Sequence, residues 1–283
     1  MSIPIIDTHL HIWDLEKVEY SWLTGNSSLL ARTYLPDEVA PFMQKVGVTQ
    51  AILIQAANTI EETEFMLDAA QQNSWIKGVV GWLPLLDPAA TQKQIQIFKQ
   101  NKYFKGVRHL VHDEVNAEWL LQPAVLESLQ ILADHKILYE IVGVKASHLK
   151  AAIHIAQTIP HLSMMLDHLV NPPISDVNLF PEWETLMIQV SQFSNVYAKI
   201  SGLGTQVKNG DAWQAADIQP YIEFVINQFG VDRCVCGGDW PVALLASNYV
   251  KTMGVYREVL EKMLTSKDQA KVFHSNATSF YSL

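Results

Sequence analysis

The sequence predicts a single-domain α/β fold, a closed (β/α)8 barrel (a TIM barrel), and three observations lead there. The chain has 283 residues, too many for a mini-domain and too few for two ordinary catalytic domains with a linker, whereas α/β barrels reach about 250 residues as one unit. Short apolar runs alternate with longer amphipathic segments along its whole length, which implies parallel strands joined by helical crossovers. The turn after the first run reads DTHLH, without the glycine-rich fingerprint that an open doubly wound sheet usually carries at that point.

Taken in order, the apolar runs fall at 3–6, 51–55, 79–84, 106–110, 137–142, 164–168, 196–200 and 234–238. Each is rich in Ile, Val, Leu or aromatic residues, as expected of strands buried on both faces. The helices are expected at 59–73, 89–101, 118–135, 146–158, 179–193, 214–229, 247–263 and 266–280. In the first of them Thr59 is placed to cap, with Glu62 three residues on as a capping-box partner, and Phe65, Leu67 and Ala69 supply part of an apolar side. The domain spans 1–283, with a lid-like excursion over 14–49 that ends in a helix. Asn276 and Ala277 are expected to serve the start of the last helix.

Composition narrows the function. Hydrophobic residues make up 49% and charged residues 17%, so a large core is available. Twenty basic against twenty-nine acidic residues give a net charge of −9, which argues against nucleic acid or an anionic membrane as partner. Cys234 and Cys236 are the only cysteines; two residues apart in one strand they form no disulfide framework and are read as core residues. The N-terminal residues lack the basic and apolar regions of a secretory signal, and no window approaches a membrane span. A cytoplasmic protein with a small-molecule substrate is expected, and a homo-oligomer is compatible with the composition.

A barrel concentrates its chemistry at the C-terminal ends of its strands. Those positions hold His9 and His11, Trp82, Arg108, His109 and His112, Tyr139 and Glu140, His168, Lys199 and Ser201, and Asp239 with Trp240. In an extended segment His9 and His11 share one side, about 6.6 Å apart along the backbone. Asp239, after Gly237 and Gly238, is read as functional rather than as a helix cap, because strand eight neighbours strand one on closure. His168 completes the set. His9, His11, His168 and Asp239 suit one divalent cation, zinc first, with a water position left open. The same four also suit a metal-independent site in which the histidines polarise a carbonyl and the carboxylate activates water.

Around this cluster, Arg108 offers a fork of donors to an oxygen-rich substrate, joined by His109 and Tyr139, while Trp13, Trp22, Trp82 and Trp240 offer an apolar wall. His135, His148, His154 and His161 fall in helical stretches and are expected to be solvated. The lysine nearest strand four, Lys105, opens the strand instead of closing it, and strand five ends without a histidine, so a carbamate-bridged pair of metals is not expected. No G-x-S-x-G occurs, which disfavours a serine hydrolase.

The segments DTHLHIWD, FKGVRHLVHDE, LDHLVNPP, AKISGL and CGGDWPV together resemble the amidohydrolase superfamily, and within it the branch of sugar-lactone and pyrone-lactone hydrolases that includes L-fuconolactonase and L-rhamnono-lactonase. The resemblance runs from residue 7 to about 281. It implies a (β/α)8 barrel and hydrolysis of a lactone C–O bond, with Asp239 activating water and His9, His11 and His168, or a cation they hold, polarising the carbonyl. A metal-dependent decarboxylase of an aromatic or unsaturated acid is the alternative on the same scaffold. The sequence departs from the branch at Val170 and Asn171, at Gly238, and at His112 and Val115, positions expected at the pocket rim where a substrate is chosen.

Overall fold

The computed structural model describes residues 3–25 and 27–283; Met1, Ser2 and Asn26, which fall within the expected domain and excursion, lie outside the described residues. Eight parallel strands follow one another in chain order: β1 (Ile5–Leu10), β2 (Val48–Ile54), β3 (Ile76–Gly81), β4 (Phe104–His109), β5 (Leu138–Ile141), β6 (Met164–Leu166), β7 (Val196–Ile200) and β8 (Cys234–Cys236). The first and last meet through a parallel bridge between Leu10 and Trp240. At this seam the Asp239 N–H donates to the His9 carbonyl and the His11 N–H to the Trp240 carbonyl, each at 2.7 Å. The fold is the (β/α)8 barrel.

Strand boundaries differ from the apolar runs at β2 and β3, which begin three residues earlier than expected, and at β1, which takes in Asp7, Thr8 and His9. These polar side chains are tolerated because each is spoken for inside. The Asp7 carboxylate accepts from the backbone N–H groups of His9 at 2.9 Å and Gly238 at 2.8 Å and from the Tyr249 hydroxyl at 2.7 Å. Pure alternation would place Ile6 and His9 on opposite faces. A register shift between Asp7 and Leu10, a bulge in effect, lets both serve the lumen.

Among the described residues ten α-helices occur, where eight and one ending the excursion were expected. Helix α1 (Pro36–Lys45) ends the excursion, and α2 (Ile60–Gln72), α3 (Pro88–Phe98), α4 (Pro123–Asp134), α5 (Ala146–Thr158), α6 (Phe180–Ser191), α7 (Ala215–Phe229) and α8 (Tyr249–Met263) form the outer ring. The Thr59 hydroxyl caps α2 by accepting from the Glu62 N–H at 3.2 Å. Glu62 itself does not close a capping box. Its carboxyl turns inward and accepts from the N–H groups of Ala56 at 2.9 Å and Ala57 at 2.7 Å, bracing the loop after β2. The expected 118–135 helix begins only at Pro123, after a 3-10 turn (Trp119–Leu121), since proline suits a first helical turn and not its interior. The last expected helix is α9 (Ser266–Ala270), a π turn (Lys271–Ser275) and α10 (Asn276–Phe280). Asn276 anchors it by donating to the carbonyls of Val231 and Cys234, both at 2.8 Å.

The lumen divides into two storeys. Ile6, Ile52, Ile54, Val80, Leu138, Met165 and Val235 pack with Ala277 and Tyr281 of the C-terminal segment, so the N-terminal end is plugged. Each of the Ile, Val, Leu and Met side chains contributes about 1.5–3 kcal/mol on burial. Above this plug the lumen turns polar, and chemistry is confined to the C-terminal half. The excursion over 14–47 pairs Trp13 with Tyr34 in an antiparallel bridge and carries Trp22 and Leu30 to the wall of that upper cavity. No helix among the described residues is long and apolar enough to cross a membrane.

Candidate active site

His9, His11, His168 and Asp239 come together at the mouth. The Nε2 atoms of His9 and His11 lie 3.1 Å apart, and Asp239 Oδ1 lies 3.4 Å from His11 Nε2 and 3.7 Å from His9 Nε2. The His9 and His168 rings are 4.4 Å apart at their centroids. Ligand atoms of His9, His168 and Asp239 all fall within 4.8 Å of one another. Asp239 is not a helix cap: the 3-10 turn that follows it (Val242–Leu245) has no side-chain cap bond.

Two of the four stand on unusual backbone. Asp239 has φ +56° and precedes a cis Trp240–Pro241 bond. Residues 168–171 are four consecutive left-handed residues, with φ between +48° and +55°. L-residues visit this region singly, each at a cost, and such backbone concentrates at functional sites. The turn is pinned where Trp183 Nε1 donates to the Leu169 carbonyl at 3.0 Å. It holds His168 so that Nδ1 meets Ser201 Oγ at 2.8 Å. Gly202 makes room for this: its φ is +64°, and a Cβ there would sit 2.5 Å from His168 Nδ1.

Beneath the four lies a buried ionic layer. Arg108 NH1 donates to Asp167 Oδ2 at 3.0 Å and lies 3.2 Å from His9 Nε2. Arg108 Nε donates to Gln55 Oε1 at 3.0 Å, and NH2 to the Gln55 carbonyl. Lys199 Nζ contacts Glu140 Oε2, lies 2.9 Å from Asp167 Oδ1 and 3.3 Å from His9 Nδ1. The Tyr281 hydroxyl donates to the other Glu140 oxygen at 2.5 Å. Burial pushes the Glu140 carboxyl up, against the pull of Lys199. Burial works the same way on Asp167, yet Lys199, His9 and Arg108 together hold that carboxyl well below the usual range. Arg108, Lys199 and Glu140 thus lie within their strands with side chains in the lumen, one storey below the strand ends where the sequence placed them.

Hydrogen-bond roles follow from the partners. His11 Nδ1 faces the Ile54 carbonyl at 2.8 Å, which only accepts, so Nδ1 carries the proton. Burial lowers the His11 and His9 pKa values, the latter strongly, so both rings are neutral at neutral pH and His11 Nε2 presents a bare lone pair. His9 Nε2 receives an Arg108 N–H. The bare His11 lone pair, 3.4 Å from a buried Asp239 oxygen that has no hydrogen-bond partner, calls for positive charge between them. The donor set therefore fits a divalent cation, and it does not fit carbonyl polarisation by donation from His11.

The cavity above has a volume of about 400 Å³ and is lined by Asp239, His11, His168, Arg108, Trp13 and Trp22 among others. Four residues expected to bind substrate lie outside its wall. Tyr139 is fully buried within β5 and its hydroxyl has no partner. Trp240 is sealed against Tyr34, edge to face. His109 is engaged at both nitrogens, accepting from Trp82 Nε1 at 2.9 Å and paired with Glu114 at 2.7 Å, while its ring stacks on Trp119. Trp82 and His109 thus serve each other. Of the branch departures, His112 and Asn171 line the cavity, whereas Val170 is buried, Val115 is fully exposed, and Gly238 lies under Tyr249, where a Cβ would meet the ring at 2.4 Å. His148 also departs from expectation: it is buried and accepts from the Val144 N–H at 3.0 Å.

Residues 6–283 match the Amidohydrolase family. The chain belongs to that family. It is 28% identical to an L-fucono-1,5-lactonase of Burkholderia ambifaria, covering 98% of this chain and 94% of that one. It is 26% identical to an L-fucono-1,5-lactonase of Burkholderia multivorans, covering 98% and 96%. Among solved structures, it resembles an amidohydrolase of Burkholderia multivorans with bound zinc, with a TM-score of 0.90, 25% identity and 99% of each chain covered.

Several groups that organise this amidohydrolase's mouth escaped the sequence reading. Gln55 closes an apolar run as its one polar residue and clamps Arg108. Thr205 and Gln206 reach the cavity from the loop after β7 and carried no spacing signal, while Asp113, from the loop after β4, stands in the FKGVRHLVHDE segment with no role assigned to it. Gly202 stands directly after the last strand-seven residues, in AKISGL, and that position was the available sign.

Proposed function

We propose that this amidohydrolase opens a small, uncharged, oxygen-rich lactone of the sugar-acid type. The carrying observation is the buried Asp239 oxygen, unpaired by any protein donor and facing neutral imidazoles at the floor of a cavity of about 400 Å³. A carboxylate so placed takes a proton from water as the water oxygen bonds to the lactone carbonyl carbon. When the tetrahedral intermediate collapses, the ring C–O bond breaks, its electron pair goes to the ring oxygen, and Asp239 returns the proton there. The product is a hydroxy acid, which releases one proton at neutral pH.

Arg108 lines the cavity and has five N–H donors, four of them given to Gln55, Asp167 and His9. The remaining one is available to the developing oxyanion, and one preorganised donor is typically worth about 2.7–4 kcal/mol. His9, His11, His168 and Asp239 would hold a divalent cation, His9 through the lone pair that otherwise accepts from Arg108, and zinc by its liking for imidazole with one carboxylate. Such an ion would polarise the carbonyl as a Lewis acid. The zinc-bound relative and the lone pairs described above support this assignment.

The cavity wall also argues for an uncharged substrate. Its one arginine is paired with Asp167, which Lys199 shares, no lysine lines it among the described residues, and Asp113 and Asp239 both do. A carboxylated substrate, including the aromatic acids of a decarboxylase, finds no unpaired side-chain cation among the lining residues. The test is a panel of sugar-acid lactones and aromatic acids, read by pH indicator and by CO₂ release, with and without chelator. Acid release from uncharged lactones supports the reading; CO₂ release from aromatic acids without lactone turnover refutes it.

A further inference from the structure

We propose that Asp113 is a specificity-determining residue, admitting uncharged polyhydroxy lactones and turning away lactones that carry a carboxylate. This rests on the lactonase reading above. Asp113 ends the 3-10 turn after β4 (Val111–Asp113) and lines the cavity beside His112. Its side chain is half exposed, and His112 Nε2 lies 3.6 Å from its Oδ1. Burial keeps the His112 ring below the ordinary histidine range, so it does not cancel the aspartate at neutral pH.

Charge balance makes Asp113 decisive. The catalytic floor is already committed, because Arg108 belongs to Asp167 and the cation site belongs to Asp239 and the imidazoles. Higher up, Asn171, Thr205 and Gln206 line the wall with Asp113, and Asp113 is the only ionised group among these four. An ionised carboxylate accepts and cannot donate, so it binds sugar hydroxyls and repels another carboxylate. At about 6 Å, in a half-solvated mouth, the repulsion amounts to about tenfold in binding. Because the group is half exposed, salt screens the effect.

The experiment compares an aldonic-acid lactone with the monolactone of the corresponding sugar diacid, which carries a carboxylate in place of the terminal CH₂OH. KM and kcat are measured for the wild type, Asp113→Asn and Asp113→Glu, at low salt and in about 0.5 M NaCl. The wild type should prefer the uncharged lactone by about tenfold or more, and salt should narrow the preference. Asp113→Asn should narrow it by about tenfold, chiefly through KM, and lose the salt dependence, while Asp113→Glu retains both. An unchanged preference in Asp113→Asn overturns the proposal, as does a wild-type preference that salt leaves untouched. The salt series needs only the wild type, so a variant that fails to fold does not rescue the idea. If the wild type opens no uncharged lactone at all, the lactonase reading fails first, and that result is distinct from a lost preference.

Discussion

Replacing Asp239 by asparagine should stabilise the metal-free protein while removing its activity. Asp239 is 3% exposed, and its Oδ1 has no donor, lying instead 3.4 Å from a bare His11 lone pair. A buried polar atom left unpaired costs about 1–3 kcal/mol. An amide in the same place turns this conflict into an N–H donated to His11 Nε2. With about 2 kcal/mol recovered, and a shift of about 2 °C per kcal/mol for a chain of this size, the melting temperature should rise by about 4 °C. The same change removes the base, so kcat should fall by about 10²–10⁴-fold. The assay is differential scanning calorimetry after exhaustive chelation, paired with lactone hydrolysis after zinc is restored. A lower melting temperature in the chelated variant would show that Oδ1 is already satisfied, and retained kcat would remove Asp239 from the chemistry.

Other perturbations read the supporting structure. Gly202→Ala places a methyl 2.5 Å from His168 Nδ1 at φ +64°; it should cost about 1–3 kcal/mol of stability in urea titration and lower kcat by displacing His168. Lys199→Met removes the ammonium shared by Glu140, Asp167 and His9, and breaking a buried pair in this way should cost about 3–5 kcal/mol by the same titration. Glu62 is pushed by burial from 4.5 to about 8, so the folded state keeps a proton that the unfolded chain has lost. Its stabilisation is present in acid and fades as pH rises, and thermal melts between about pH 6 and 8 should fall less steeply in Glu62→Gln than in the wild type.

The barrel was legible because strand and helix periods alternate cleanly and every inner run is short and apolar. Boundaries failed where polar residues belong inside a strand. Asp7, Thr8 and His9 read as a loop in sequence, yet the seam with β8 gives them partners. The four mouth residues share a simple sign, a charged or imidazole side chain at the end of an apolar run or within a few residues of it. The storey beneath them is harder to see. Lys199, Glu140 and Arg108 carry the same sign, and only the closure of the lumen shows that Lys199 and Glu140 pair with Asp167 and each other, while Arg108 is held by Asp167 and Gln55 and still lines the cavity. His109 and Trp82 were misplaced for a related reason, since two residues at neighbouring strand ends satisfied each other. His148 looked solvated in a helical pattern, but its position in the first turn of α5 buries it and lets it accept from the Val144 N–H.

The most direct test of the account is a pH-stat measurement of wild-type protein with an uncharged sugar-acid lactone at neutral pH, zinc supplied. One proton released per lactone consumed, at a rate that falls by about 10²-fold or more in Asp239→Asn, is the predicted result. Lactone turnover that persists undiminished in Asp239→Asn, or no acid release across the lactone panel, would contradict it.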